Sequence, residues 1–229
     1  MHDTSPVPPQ TTVEWSTIRV DGDDASTFLQ GQLTADVSAR AAQTLLLTPA
    51  SIVLCDASLS YDSSGILLTV RSEVSESAHA RLRRFVLLSK CSFEIVDAID
   101  VPYRTVGEQV DAGLPGPQEY RHELTPHSYG AGFVGRHISF TKGCFTGQEL
   151  VGRLDARGAN VPFRLVQFWS PTLAQAEGVI MANGPLGGAQ GVTTAVEDES
   201  GVRGLAFVHR TTSDRVTGEV RLHSVTGEA

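Results

Sequence analysis

Short apolar segments broken by turn residues recur along this chain, and their arrangement limits the folds that it can adopt. Up to residue 97, strand-like runs such as "TIRV" and "TLLL" are mixed with helical patterns after Asp24 and over 74–85. After Arg153 only short strand-like pieces remain, separated by Gly, Asn-Gly and Asp turns. They are "VPFRLVQFW", "GVIMANG", "GGAQGVTTAVEDE", "VRGLAFVHR" and "GEVRLHSV". Strands that do not alternate strictly with helices favour antiparallel sheets, so the sequence predicts an α+β fold.

The predicted organisation has three parts, with a change of pattern near residues 155–160. A proline-rich stretch makes 1–15 a flexible arm, 16–156 form the α+β region, and 157–229 form a small C-terminal β-barrel. Within the second part, the Gly- and Pro-rich stretch 101–140 is predicted to be irregular apart from one short helix near 106–112. Long loops of this kind in a compact protein are often functional.

Composition and charge exclude several classes of protein. A formal net charge of -8 and a pI of about 5.3 give no global electrostatic reason to bind nucleic acid. The dense basic run "RLRRF" is more typical of a solvated helix face. No apolar run reaches the roughly 18–20 residues of a membrane-spanning helix, and the N-terminus does not resemble a secretory signal. The three cysteines are dispersed, which favours a reducing compartment, so we expect a cytoplasmic protein without membrane contact.

The stretch "FTKGCFTGQELVGR" from Phe140 to Arg153 carries the most chemistry. Thr146 and Glu149 have the T-x-x-E spacing of a capping box, which predicts that a helix starts at Thr146. Cys144 would then precede a helix N-terminus, whose dipole favours a thiolate. Lys142 lies two residues earlier, on the same face of an extended chain, where its ammonium would lower the pKa of the thiol further. Two interpretations are open: a reactive cysteine, or a buried packing residue in a helix-starting turn.

Other candidate groups have weaker patterns. His122, His127 and His137 share a Gly-rich loop with Glu123, but their spacing fits no compact metal site, and no metal is predicted. A conventional iron–sulfur cluster needs about four cysteines, and the chain has three. Four aromatic residues are candidates for stacking on a ligand ring or for the core: Trp15, Tyr103, Tyr120 and Trp169.

The segment "KGCFTGQE", Lys142 to Glu149, resembles the K-G-C-[FY]-x-G-Q-E signature of the YgfZ family. That family comprises folate-binding proteins related to the glycine-cleavage T protein, an aminomethyltransferase. Every specified position is matched, which makes the signature specific. The stretches "DGDDASTFLQGQLTADV", "LRRFVLLSKCSFEI", "VDAGLP" and "VRGLAFVHR" are also similar to family elements, so the resemblance covers nearly the whole chain.

The resemblance implies two interwoven α+β modules and a small β-barrel around a central folate pocket. It implies binding of tetrahydrofolate or a derivative and a role in making or repairing iron–sulfur enzymes, including enzymes that modify tRNA. The implied partners are folate and iron–sulfur proteins or their assembly factors, with no direct nucleic acid. In the family the motif cysteine and lysine are the functional pair, here Cys144 and Lys142. The predicted cofactor-binding residues are Gln148, Glu149 and Arg153 of the motif, together with Glu123.

Two departures from the family pattern keep other functions open. Gln109 stands where relatives carry an arginine before "VDAGLP", and "TPAS" replaces a P-x-G element. The T protein relies on an aspartate in this region, and Asp56 and Asp62 are the nearby candidates. A folate-dependent one-carbon transferase or demethylase is therefore one alternative. A degenerate scaffold that has lost its ligand is another.

Overall fold

The computed structural model describes residues 5–63, 65–87, 89–98, 105–182, 190–212 and 216–225. A 3-10 helix at Pro126–Tyr129 accompanies the strands and α-helices. The strands are β1 (Trp15–Asp21), β2 (Gln43–Leu47), β3 (Val53–Tyr61), β4 (Gly65–Arg71), β5 (Ser92–Asp97), β6 (Phe163–Ser170), β7 (Gly191–Asp198), β8 (Gly201–His209), β9 (Val216–Thr217) and β10 (Val220–Ser224). The helices are α1 (Ala25–Gln32), α2 (Ser72–Arg83), α3 (Val106–Asp111), α4 (Pro117–Tyr120), α5 (Ala131–His137), α6 (Gln148–Ala156) and α7 (Leu173–Ala182).

The first sheet has the order β2-β3-β4-β1-β5, and all its pairs are antiparallel. Alternation along β1 buries Ile18 and Val20 in one core with residues of α1 and α2. On the opposite face Thr17 and Thr69 are cross-strand partners, and their buried hydroxyls lie 3.0 Å apart. This face is polar as well as buried, which is where a ligand site can form.

The second sheet has the order β7-β8-β6-β10-β9 and is also antiparallel. β7 and β9 are its two edges, so the strands of the described part of the chain form an open sheet and the predicted C-terminal barrel is not confirmed. The strand predicted at "GVIMANG" is wrong, because its described residues continue α7. Ala176 and Ile180 are four positions apart and fully buried against the sheet.

The segment between the sheets is more ordered than predicted. The expected helix near 106–112 is confirmed as α3, and α4, α5 and the 3-10 helix are present in addition. Tyr129 and Phe133 are fully or almost fully buried in a core that joins Leu45 of the first sheet to Phe207 of the second. The middle segment therefore packs between the two sheets.

The described part of the predicted flexible arm lies along the body of the protein. Val7 forms a parallel bridge to Val196 of β7, and its amide donates to the Ala195 carbonyl at 3.0 Å. Further along, the amide of Val106 in α3 donates to the Thr11 carbonyl at 2.9 Å. The arm thus follows the edge of the second sheet before β1 begins.

Two antiparallel sheets with helices agree with the predicted α+β class. Near the predicted change of pattern, α6 ends at Ala156 and β6 begins at Phe163, and the division of the chain into three parts stays a prediction. The division into two interwoven modules stays a prediction.

Candidate functional site

Lys142 is buried and holds the end of α1. Lys142 is 8% exposed. Its Nζ donates hydrogen bonds to the carbonyl oxygens of Gln30, Leu33 and Ala35, at 2.6, 2.7 and 2.8 Å. The last carbonyls of a helix have no partner within the helix, and a cation there also complements the helix dipole. Burial lowers the pKa of Lys142 to about 8, while the charge of Asp36 opposes that shift.

Cys144 lies in a different environment from Lys142. The thiol is free and solvent-exposed, whereas the ammonium two residues earlier is directed into the protein. The prediction that both side chains share one face is therefore wrong. The interpretation of Cys144 as a buried packing residue is wrong as well, because its neighbour Phe145 takes the core position instead.

The helix after the motif begins later than predicted. Gly147, with φ of 84°, precedes the first helical residue Gln148, and no side chain caps the helix. Glu149 instead forms an i,i+4 ion pair with Arg153 at 2.7 Å, and both side chains are exposed. The predicted capping box between Thr146 and Glu149 is wrong. The amide of Thr146 is already used by the Gly31 carbonyl of α1 at 3.1 Å.

The same loop is attached to the turn between β2 and β3. Ser51, with φ of 65°, donates its hydroxyl to the Gly147 carbonyl at 2.6 Å. A Cβ on Gly147 would lie 2.9 Å from the backbone carbonyl oxygen of Thr48, so this close approach requires glycine. The turn "TPAS", residues 48–51, therefore holds the loop of the "KGCFTGQE" motif in place.

Thr48, at the start of that turn, also lines the largest of three neighbouring cavities. This cavity, of about 520 Å³, is here called the Tyr120 cavity. Apolar walls from Ile52, Leu54 and Val74 face polar groups at the rim. Its lining residues are Thr48, Ile52, Val53, Leu54, Glu73, Val74, Pro117, Tyr120, Arg121 and Glu123. Of the predicted site residues, Glu123 is the one that lines it, with φ of 54°.

Two smaller cavities meet at Arg71 and Gln109. The Arg71 cavity has a volume of about 150 Å³ and is lined by Glu73, Glu119, Thr193 and Thr194 among others. The Asp56 cavity has a volume of about 20 Å³ and is lined by Trp15, Asp56 and His137 among others. Arg71 and Gln109 line both cavities. Arg71 Nη1 donates a hydrogen bond to Gln109 Oε1.

Asp56 and Tyr120 connect the cavities through a hydrogen bond. The Tyr120 hydroxyl donates to Asp56 Oδ1 at 2.8 Å. Burial first, and then the charge of Asp56, raise the pKa of Tyr120 well above its ordinary value, so the phenol stays a donor. His137 nearby has its pKa lowered by burial, and its Nδ1 lies 2.7 Å from the Phe133 carbonyl.

Glu119 is a fully buried carboxyl group at the base of the Arg71 cavity. The Gly116 amide donates to Oε2 at 2.7 Å, and the Thr194 hydroxyl donates to Oε1 at 2.6 Å. Burial raises the pKa of Glu119, and the surrounding donors oppose that shift. Sequence reasoning missed Arg71 and Glu119 because no local motif marks them.

The remaining candidates lie apart from these cavities. Trp169 contacts the Arg221 guanidinium on the second sheet, and His122 packs on Phe207. Tyr103 is outside the described residues. Within the described ranges, no three histidine, cysteine or acidic side chains are grouped closely enough to hold a metal. In that same part of the chain, every helix is too short or too polar to cross a membrane.

The fold is that of an aminomethyltransferase T protein. The structure resembles the crystal structure of glycine cleavage system aminomethyltransferase T from Bartonella henselae, with a TM-score of 0.60. The match covers 95% of this chain and 85% of that chain at 12% sequence identity, so the likeness shows the fold alone. An uncharacterized protein from Haemophilus influenzae is 28% identical over 64% of this chain and 68% of its own length. No protein family model matches the sequence.

Proposed function

We propose that this protein binds a reduced folate in the Tyr120 cavity and supports iron–sulfur enzymes, including enzymes that modify tRNA, through Cys144. The single observation that supports folate binding is that one turn, residues 48–51, contacts both the cavity and the motif. Thr48 lines the Tyr120 cavity, and Ser51 of the same turn holds Gly147 of the "KGCFTGQE" motif. The motif that resembles the YgfZ signature is thus attached to the wall of a cavity of ligand size.

The lining of the Tyr120 cavity suits the parts of a folate. Apolar side chains and Tyr120 offer flat contact for the pterin and aminobenzoate rings. The guanidinium of Arg121, at the rim, suits the carboxylates of the glutamate tail. Glu123, also at the rim, supplies an acceptor for ring N–H groups. The T-protein fold over 95% of the chain supports the same assignment.

Cys144 supplies the partner-facing group in this proposal. Its thiol is exposed, whereas Cys55 is buried and Cys91 is partly buried. Burial raises the pKa values of Cys55 and Cys91, which keeps both as inert thiols. Lys142 acts as a positioning residue here, because its ammonium is bound to three backbone carbonyls.

Titration with tetrahydrofolate tests the folate part. Trp169→Phe leaves Trp15 as the sole tryptophan, and Trp15 lies beside the cavity system at Arg71. We expect a saturable change in Trp15 fluorescence. A signal that stays linear in ligand concentration would contradict folate binding.

Complementation tests the thiol. Cys144→Ala is expected to abolish rescue of a bacterial strain that lacks its own YgfZ protein, with Cys91→Ala as the matched control that keeps rescue. Full rescue by Cys144→Ala would exclude a chemical role for this cysteine.

A folate-dependent aminomethyltransferase is the second candidate, and the position of Asp56 favours it. Asp56 lines the Asp56 cavity and accepts a hydrogen bond from Tyr120, so an acidic group faces the cavity system. This function requires the protein to form methylenetetrahydrofolate from tetrahydrofolate and an aminomethyl donor. We expect Asp56→Asn to form no methylenetetrahydrofolate. The open cavities argue against a degenerate scaffold with a closed cleft.

A further inference from the structure

We propose that the Arg71 cavity is a binding site for a small α-amino acid, with Arg71 holding the carboxylate and Glu73 the ammonium group. The cavity is separate from the Tyr120 cavity assigned to folate, although Glu73 and Pro117 line both. The inference stands without folate binding, because it rests on the groups of this cavity alone.

Arg71 has donors to spare for a carboxylate. Its side chain is 11% exposed, and a guanidinium carries five N–H donors. Nη1 donates to Gln109, while Nε is buried without a hydrogen bond and lies 3.4 Å from Glu73 Oε2. The Trp15 ring lies 5.6 Å from the guanidinium carbon and limits its movement. A guanidinium fixed in this way suits a planar carboxylate.

Glu73 supplies the opposite charge at the mouth of the cavity. Its side chain is 48% exposed and its contact with Arg71 is long for an ion pair, so a ligand can enter between them. A carboxylate placed on Arg71 brings the neighbouring amino group of an α-amino acid toward Glu73. The pair therefore matches a zwitterion better than a simple anion.

Other lining groups of the cavity are polar, and the carboxyl group of Glu119 is already hydrogen-bonded. Gln109 is 5% exposed, and Thr193 and Thr194 line the same cavity. Glu119 accepts hydrogen bonds from Gly116 and Thr194, so its carboxyl group does not compete for Arg71.

The size of the cavity selects a small ligand. A volume of about 150 Å³ holds on the order of ten water-sized groups. Glycine or alanine fits this space, whereas a folate does not. The arm residues Ser5, Val7 and Thr11 form one wall and reduce the room for a long side chain.

Nuclear magnetic resonance of the folate-free protein tests the assignment with glycine, acetate and methylammonium as probes. The chain has two tryptophans, so the indole N–H signal of Trp15 is the reporter and that of Trp169 is the internal reference. We expect glycine to shift the Trp15 signal saturably, acetate to bind more weakly, and methylammonium to bind most weakly. The Trp169 signal should stay unchanged.

Variants assign the contact to Arg71. Arg71→Met should weaken glycine binding at least tenfold, while Arg84→Met, on an exposed arginine, should leave it unchanged. Gln109→Glu keeps the side-chain size and should also weaken binding at least tenfold, because it places a carboxylate beside the ligand carboxylate. If Arg71→Met fails to fold, Gln109→Glu tests whether glycine binds beside Arg71.

Three outcomes would overturn the proposal. The absence of a saturable shift with glycine would exclude the site. Equal affinities for glycine and acetate would exclude recognition of the amino group. Unchanged glycine binding in a folded Arg71→Met or in Gln109→Glu would exclude the role of this arginine.

Discussion

At the scale of single residues, Lys142 illustrates how burial decides a role. Its ammonium satisfies three carbonyls at the end of α1 and fixes the motif loop to the first sheet's helix layer. Sequence spacing predicted a lysine beside a thiol, because an extended chain places alternate residues on one face. The direction of a side chain relative to the core is set by tertiary packing, which spacing within a motif does not contain.

Lys142→Met should lower the free energy of unfolding by about 2–3 kcal/mol, because it removes the donor that the Gln30, Leu33 and Ala35 carbonyls share. Urea denaturation measures the change. Arg153→Met is the matched control, since its exposed ion pair with Glu149 contributes less than about 1 kcal/mol. Equal stabilities of the two variants would contradict the anchoring role.

The stability gained from Lys142 should also depend on pH in a defined direction. Its pKa is about 8 in the folded chain and near the ordinary 10.5 in the unfolded chain. Between these values the unfolded chain holds a proton that the folded chain has released, so stability rises with pH. The difference in unfolding free energy between the wild type and Lys142→Met should therefore grow from pH 8 to 10.5, by at most about 3 kcal/mol. A difference that falls over this range would contradict the lowered pKa.

At the scale of elements, two T-x-x-E patterns behave differently. Thr105 and Glu108 form a capping box at the start of α3, with the Thr105 hydroxyl accepting from the Glu108 amide at 3.1 Å. Thr146 and Glu149 have the same spacing and form none. Contacts with Gly31 and Ser51 hold the backbone at 146–147 in a conformation that a local capping pattern does not specify.

Gly147→Ala should destabilise the protein by about 1–3 kcal/mol, because φ is 84° and the new Cβ would meet the Thr48 oxygen at 2.9 Å. Gly152→Ala, inside the helix α6 that follows Gly147, is the control: its Cβ would meet nothing within 4 Å, and alanine is the better helix former. We expect the control to stabilise the protein by about 0.5–1 kcal/mol. Thermal unfolding of both variants measures these changes. Similar losses of stability in both variants would contradict the close contact between Gly147 and the Thr48 turn.

At the scale of the whole molecule, alternating apolar residues predicted both antiparallel sheets, since each strand buries one face. The irregular middle segment was wrong, because α4 and α5 depend on the core between the sheets. The small C-terminal barrel stays a prediction, because closure depends on the pairing of sheet edges. The cavity residues were the least predictable. Arg71 and Gln109 are 38 positions apart and meet only through the fold.

Calorimetric titration with tetrahydrofolate decides whether the Tyr120 cavity binds a reduced folate, when a protein with a filled cavity is compared with one whose cavity is open. Leu54→Trp places a larger side chain in the cavity wall, and Leu87→Trp makes the same change at a site that is 88% exposed. We expect saturable binding to the wild type and to Leu87→Trp, and at least tenfold weaker binding to a folded Leu54→Trp. Equal affinities of all three proteins, or no saturable binding to the wild type, would contradict folate binding in this cavity.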